Sequence, residues 1–499
     1  MAARHAFVAL LALTASLLLP ESGQKWWVTG VSGGSDHLPL GESHFLKTSL
    51  VRRKLIGISP SSQLQQVMLW DFFAFVFSFL TEVSCPQKPA RVFHVTAYGA
   101  DSSGKTDSTD ALMKAIADAF QAADAHVLMQ GIPDLGGSEI HLDGGVYLIS
   151  RPLRFPSSGG GNLLVHGGSL RASDDFPADG YLIELQPSSS SYAFEDITFK
   201  DLMLDANYRG GGMSIVNSLR TTIDNCYVSH FMSDGILVKG GHETYIHNSF
   251  LGQHITAGGD PGEKSFSGTG INLMGNDNAV TDVVIFSAQT GILISGQANI
   301  ITGVHCYNKA TGWGGTGIYV QSPGLSQTRI VDCYLDYTGI VAEDPVQLHI
   351  SNSFFLGNAF VLLKSVAGVV NGLNIVDNMF SGDGKALDIV QLDQSKTAFT
   401  SIDQVVIDRN NARGMNLRST AAKGVANGNG TSTWTVDFSS VLLFPDLIRH
   451  VQYALYTPGV FPNHALRNVS RNSVTVGADT PVSASVFVSV DQNTLPIAS

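Results

Sequence analysis

The sequence predicts an all-β protein built as a right-handed parallel β-helix, with a capping helix at its N-terminal end and a β-rich C-terminal extension. Three observations carry this. Between Asp196 and Phe380 a polar residue, a small or sulfur-bearing residue and an aromatic return in that order about every twenty to twenty-seven residues: Asn225-Cys226-Tyr227, Asn248-Ser249-Phe250, His305-Cys306-Tyr307, Asp332-Cys333-Tyr334, Asn352-Ser353-Phe354 and Asn378-Met379-Phe380. Such a period signals stacked repeats. A second mark accompanies it, a turn followed by a short β-rich run, at Ser233-Asp234-Gly235-Ile236, Thr269-Gly270-Ile271, Thr290-Gly291-Ile292, Thr316-Gly317-Ile318 and Thr338-Gly339-Ile340. Within each unit, short runs of Val, Ile, Thr, Tyr and Phe are divided by Gly, Asn and Asp, with no helical period. Three short strands and three turns make one coil, and successive coils stack equivalent side chains about 4.8 Å apart into ladders. Such a rod carries a long groove along one side, suited to a linear polymer more than to a small metabolite.

Composition agrees. Of 499 residues, 44% are hydrophobic and only 14% charged, with 52 glycines, the profile of a turn-rich β protein. The formal net charge of -12 argues against sequence-independent nucleic-acid binding, which needs a broad basic surface. It leaves room for a few local Lys and Arg along a groove that takes an acidic polymer.

Residues 1–23 carry Arg4 and His5, an apolar run from Ala6 to Leu19, then Pro20 and small residues at Ser22-Gly23. This is a secretory signal pattern, and the run is too short to span a bilayer, so a secreted chain without stable membrane insertion is expected. Asn429-Gly430-Thr431 and Asn468-Val469-Ser470 are matching glycosylation acceptors. Residues 24–90, with Trp26-Trp27, Arg52-Arg53-Lys54 and a second apolar run from Val67 to Leu80 broken by Asp71, share nothing with the repeat and are expected to be a poorly ordered insert.

The β-helix domain is expected over residues 91–420. Val92 to Thr96 reads as a strand, Ala97 to Ala100 as its turn, and Asp107-Ser108-Thr109-Asp110 as a helix start. Ser108 or Thr109 would be the N-cap, with Asp110 near the positive end of the helix dipole. Ala111, Leu112, Ala115, Ile116, Ala119 and Phe120 form an apolar stripe, which suits a plug over the open end of the rod. Coils run from about Ile140 to Asn410. Residues 421–499 alternate instead, as in Thr433 to Phe438, Val474 to Val476 and Ala484 to Val490, which reads as an antiparallel extension capping the other end.

Cys226, Cys306 and Cys333 fall at one motif position and should point the same way. Cys306 and Cys333, on adjacent coils, come close enough in principle for a disulfide, while an apolar ladder favours buried free thiols. No CxxC or His-rich spacing points to zinc. Asn225, Asn248, Asp332 and Asn352 read as structural turn-ladder residues.

Val95-Thr96-Ala97-Tyr98-Gly99-Ala100-Asp101 and Gly104-Lys105-Thr106-Asp107-Ser108-Thr109-Asp110-Ala111 resemble the opening of secreted pectin-degrading β-helix proteins of the polygalacturonase and pectate-lyase superfamily. Tyr147 to Leu153, Ala172 to Phe176 and Gly252 to Asp260 are similar to the plant quartet-three polygalacturonase group, over roughly Val92 to the C-terminus. The resemblance implies a pectin-lyase-like fold and hydrolysis of galacturonosyl bonds of pectin (homogalacturonan) in the cell wall, by a monomer without metal or cofactor. It further implies wall loosening of the kind that separates pollen grains from a tetrad. The Asn-Thr-Asp, Asp-Asp, Gly-His-Gly and Arg-Ile-Lys motifs of well-studied polygalacturonases do not stand intact here; Ser233-Asp234-Gly235 and Gly241-His242-Glu243 echo two of them. A non-catalytic pectin-binding rod is one alternative. A calcium-dependent pectate lyase is another, which would need clustered carboxylates around the ion, and Asp174-Asp175 and Asp277 are the candidates.

Hydrolysis calls for two carboxyl groups flanking the glycosidic bond, one protonated and one ionised. From Phe250 to Phe286 the repeat is longer than its neighbours by about ten to fifteen residues, and the surplus, Gly252 to Gly268, carries His254, Asp260, Glu263 and Lys264 among many glycines. The coils before it supply Asp205, Asp234, Lys239, His242 and Glu243. Asp205 and Asp234, which close and open strands at comparable places on neighbouring coils, form the expected carboxylate pair. Glu243, His254 and Asp260 would assist by proton transfer or water positioning. Arg209, Lys239 and Lys264 would bind galacturonate carboxylates, with His242 and Asp277 beside them, and Glu343 is a further carboxylate in reserve.

Overall fold

The described residues fall within one compact unit of the chain, 87–499. The computed structural model describes residues 91–121, 126–188, 191–253, 267–307 and 314–493; the signal and insert expected over residues 1–90 lie outside them.

Each coil contributes three short strands. Thr222–Asp224, Tyr227–Ser229 and Asp234–Lys239 make one coil, Tyr245–His247, Phe250–Gly252 and Ser267–Leu273 the next, and Ala279–Thr281, Val284–Phe286 and Ala288–Ile294 the third. The first two strands of these coils join a 24-stranded sheet, and the third joins a ten-stranded sheet. Every pairing between them is parallel, so the chain winds as a parallel β-helix. Inside, Ile223, Ile246, Val280, Ile301, Ile330, Ile350, Ile375 and Ile407 are successive partners, each fully buried. Their stiff β-branched side chains fit a pleated ladder, and burying each one contributes about 1.5–3 kcal/mol.

The motif has a backbone cause. Asn225, Asn248, Asp282, Asp332, Asn352 and Asp377 share a left-handed turn with φ between 50° and 59°, a conformation Asn and Asp accept more readily than other non-glycine residues. At the following aromatic position Tyr227 stacks on Phe250 at 4.7 Å, and Phe286, two residues past that position on the next coil, stacks on Phe250 at 5.2 Å between ring centroids.

Two motif copies shift. Phe354 pairs with Met379, so Asn378 takes the small-residue position and Asp377 the turn. His305 pairs with Val284 and Tyr334, which places Cys306 past the aromatic position, on the inward rung of Ile285 and Leu335. Cys306 therefore does not share the position of Cys226 and Cys333, and all three are buried free thiols. Burial pushes the Cys226 and Cys333 thiols up to about 12.

The helix Thr109–Gln121 buries Leu112, Ala115, Ile116 and Ala119 in the core cluster that includes Ile140, Leu142, Leu153 and Phe155. Its first turn is held by Asp107, whose Oδ1 accepts the Thr109 amide at 3.0 Å; Ser108 instead accepts the Asp101 amide. At the other end, Ala421–Asp437, His450–Tyr456, His464–Ser470 and Ser473–Asp491 form an antiparallel sheet with its own core around Trp434, Phe438 and Val486. Leu443 and Phe444 belong instead to the core of the rod, so this extension closes the last coil. Among the described residues no helix is long and apolar enough to cross a membrane.

Candidate functional site

The edge of the ten-stranded sheet where each strand begins carries one row of side chains. Gly211 pairs with Tyr181, Asp234 with Thr269, Thr269 with Thr290 and Thr290 with Thr316, and pairing of Met213 with Ile236 sets Gly211 opposite Asp234. Asp234 is the one carboxylate among these six residues. It accepts the Tyr181 hydroxyl at 2.9 Å and lies 3.3 and 3.4 Å from Asn272 Nδ2. Burial pushes its carboxyl above the ordinary range, against the opposing pull of bonds from Tyr181, Asn272 and Thr269.

Tyr181 reaches Asp234 across an intervening coil because that coil has glycine there. A Cβ on Gly211 would lie 2.4 Å from two Tyr181 ring carbons and 2.4 Å from the Asp234 carbonyl oxygen. Gly211→Ala is therefore expected to displace the ring and to destabilise the protein by about 1–3 kcal/mol, read as a lower denaturation midpoint. An unchanged midpoint would mean that Tyr181 approaches Asp234 by another path.

Asp205 ends the strand Phe194–Asp205 in the other sheet. Its Oδ1 accepts His230 Nδ1 at 2.8 Å and the Asn207 amide at 2.9 Å, and Arg171 Nε stands 3.7 Å from Oδ2. Burial works to raise this carboxyl, but the His230 and Asn207 bonds and the charges of His230 and Arg171 outweigh it and hold it below the ordinary range. The Tyr208 ring lies against His230, 4.5 Å between centroids.

Two stacked turns join the carboxylates. Tyr208 N–H donates to His230 O at 2.8 Å and Met232 N–H to Gly210 O at 2.9 Å, so the turn after Asp205 lies on the turn that leads into Asp234. Arg209, in the first of these turns, donates from Nε to Phe176 O at 2.8 Å. Gln253, 2% exposed, donates from Nε2 to Phe231 O at 2.7 Å and to Ser267 O at 2.8 Å. Gln253 and Ser267, which flank His254, Asp260, Glu263 and Lys264 in the sequence, are thus tied to each other, and Gln253 to the turn before Asp234. Those four residues themselves lie outside the described ones.

The structure does not bring the rest together with this pair. Lys239, His242, Glu243 and Asp277 stand at or beyond the far end of the strand Asp234–Lys239, whose length is about 16 Å. There His242 Nδ1 meets Asp277 Oδ2 at 3.0 Å, and Arg220 bridges Glu243 at 3.1 Å and Glu195. Glu343 is four strands across the sheet, about 19 Å, and at the level of Lys239 in register, bonded to Tyr319 at 2.6 Å and Lys364 at 2.9 Å. Tyr181, His230, Gln253 and Asn272 are absent from the sequence-derived set. The run Gly210-Gly211-Gly212 was the available signal, a gap left for a neighbour's side chain.

The chain matches no protein-family model. Over 459 residues it is 61% identical to polygalacturonase QRT3 of Arabidopsis thaliana, covering 91% of each chain. The chain belongs to the QRT3-type polygalacturonase family. Among solved structures, ORF18 of Geobacillus virus E2 superposes with a TM-score of 0.53 over 88% of this chain and 83% of its own, at 10% identity, a likeness of fold alone. An endo-xylogalacturonan hydrolase from Aspergillus tubingensis gives a TM-score of 0.47 at 13% identity, over 66% of this chain and 95% of that one. Within this QRT3-type polygalacturonase chain, the threonines at 269, 290 and 316 leave Asp234 without a carboxylate neighbour in its own row. Asp205 stands on the other sheet.

Proposed function

We propose that the chain is a secreted polygalacturonase that hydrolyses 1,4-α-galacturonosyl bonds of homogalacturonan in the plant cell wall, with Asp234 as general acid and Asp205 as its ionised partner. The observation that carries this reading is the opposed environments of two carboxyls on one pair of stacked turns, Asp234 pushed up and Asp205 held down. Environments that drive two carboxyls apart assign the acid and the base. Neutral Asp234 would protonate the leaving glycosidic oxygen, and Asp205, oriented by His230, would act from the other sheet on the anomeric side. Arg209 and Lys264 would meet galacturonate carboxylates. His254 and Asp260 would assist at the lip, and Lys239, His242, Glu243 and Asp277 would bound the groove on its other side. Asn429 and Asn468 are exposed on the C-terminal extension, where glycans fit a secreted chain. Cell separation in the pollen tetrad is the setting this family suggests.

The test is incubation with de-esterified polygalacturonate, following new reducing ends and the ultraviolet absorbance of an unsaturated sugar, with and without a calcium chelator. Reducing ends without absorbance, indifferent to chelator, are expected. Chelator-sensitive absorbance would make the protein a lyase, and binding with neither signal would make it a wall-binding rod.

The pH dependence follows from the same pair. Activity needs Asp205 ionised and Asp234 protonated, so kcat/KM should fall as pH drops through the lowered Asp205 carboxyl and again as pH rises through the raised Asp234 carboxyl. The acid limb is expected below the ordinary carboxylate range and the alkaline limb above it. A profile flat on the alkaline side would remove Asp234 as the acid.

A further inference from the structure

Three histidines stand on successive coils at the N-terminal end of the rod. His94 pairs with His141 and His141 with His166, with ring centroids 5.3 and 4.6 Å apart. Asp143 sits two residues past His141 on a left-handed backbone, φ 52°. It presents one oxygen, Oδ1, to both rings: His94 Nδ1 at 2.6 Å and His141 Nδ1 at 2.8 Å. Its other oxygen is held by the Thr96 hydroxyl at 2.7 Å and the Thr96 amide at 3.3 Å.

We propose that His94, His141 and Asp143 form a site for one divalent transition cation of the zinc class, which fastens the first coil to the second. One ligand atom from each of the three residues lies within 4.8 Å of the others. Imidazole nitrogen and carboxylate oxygen bind zinc at about 2.0–2.2 Å, which sets ligand atoms about 3.3 Å apart in a tetrahedron. The two nitrogen-to-Oδ1 separations, 2.6 and 2.8 Å, need to open by about 0.5–0.7 Å, and the His94 side chain, 53% exposed, is free to make that adjustment. Thr96 supplies the outer-shell bond that fixes which Asp143 oxygen faces the metal, as outer-shell partners do in built sites. Two imidazoles do not suit calcium, which takes six to eight oxygens. The fourth position is left to water.

The role is structural. The register of these histidines continues into Lys200 and Asp224 on the 24-stranded sheet, whereas Asp205 ends its strand five residues beyond Lys200 and Asp234 lies on the ten-stranded sheet. Among the described residues the strand Val92–His94 pairs with a single neighbour, so the first coil is an edge. An ion bound only by the folded form stabilises that edge by mass action. Sequence spacing gave no hint of this, because the ligands come from two coils that are 47 residues apart between His94 and His141.

The experiment uses tag-free full-length protein stripped with chelator, titrated with Zn²⁺ by calorimetry and melted with and without the ion. One equivalent bound per chain and a higher melting midpoint are expected. His94→Ala and Asp143→Asn should each weaken binding by at least about a hundredfold, and Thr96→Val by roughly ten- to a hundredfold. His247→Ala, a histidine outside the cluster, should bind like the parent. Because His94 is half exposed on an edge strand, His94→Ala should fold and melt like the stripped parent. No saturable uptake, uptake that His94→Ala retains, or an equal shift with Ca²⁺ would each overturn the proposal.

Discussion

Asp234→Asn is expected to lower kcat on polygalacturonate by about 10²- to 10⁴-fold while leaving the denaturation midpoint nearly unchanged. The asparagine keeps the side-chain volume and still offers a carbonyl oxygen to the Tyr181 hydroxyl that now bonds Asp234 at 2.9 Å. What it loses is the proton that the raised carboxyl holds ready. A substrate with an activated aryl leaving group separates acid from base, because a good leaving group departs without protonation. Asp234→Asn should recover much of its rate on such a substrate and Asp205→Asn should not. If Asp234→Asn kept its activity on the polymer within twofold, the assignment of Asp234 would be wrong.

The contrast between fold and site lies in what periodicity can carry. Ile223 through Ile407 are legible as a ladder because each coil must supply a β-branched residue at the same rung, and a strict repeat writes that demand into the sequence. The polar motif position is legible for the same reason, since a left-handed turn recurs there. Register within a coil is not written so strongly. His305 and Cys306 read as a motif copy like Asp332 and Cys333, yet Cys306 lies on the inward rung with Leu335. The site depends on contacts that break the repeat. Tyr181 crosses a whole coil to reach Asp234, and His230 reaches back one coil to Asp205. No period marks either contact, and only the glycines that make room for Tyr181 leave a trace. His242 and Glu243 stand apart from Asp234 for a related reason: residues near in sequence along a strand are a strand's length apart in space.

Asp344→Ala is expected to cost about 3–5 kcal/mol of stability, although the residue stands well away from Asp205 and Asp234. Asp344 is fully buried, and its two oxygens accept the amides of Val366, Ala367, Gly368 and Val369 at 2.6 to 3.2 Å. Three of those donors belong to the turn that follows the strand Val361–Lys364 and Val369 opens the next strand, so one carboxylate organises the return of the chain into the next coil. Removing it leaves the buried Gly368 N–H and three partly buried N–H groups without that acceptor, each worth up to about 1–3 kcal/mol, and water entering the space recovers part of that. Asp344→Asn, which keeps one acceptor oxygen, should cost less. Since each coil of a stacked repeat contacts mainly its neighbours, the loss should be local. Hydrogen exchange of the amides at 366–369 should accelerate while those around Tyr181 and Asp234 stay protected, and activity below the melting range should survive. Exchange accelerated equally along the whole rod would show instead that the coils unfold as one unit, and wild-type protection at 366–369 would show that the turn holds without its carboxylate.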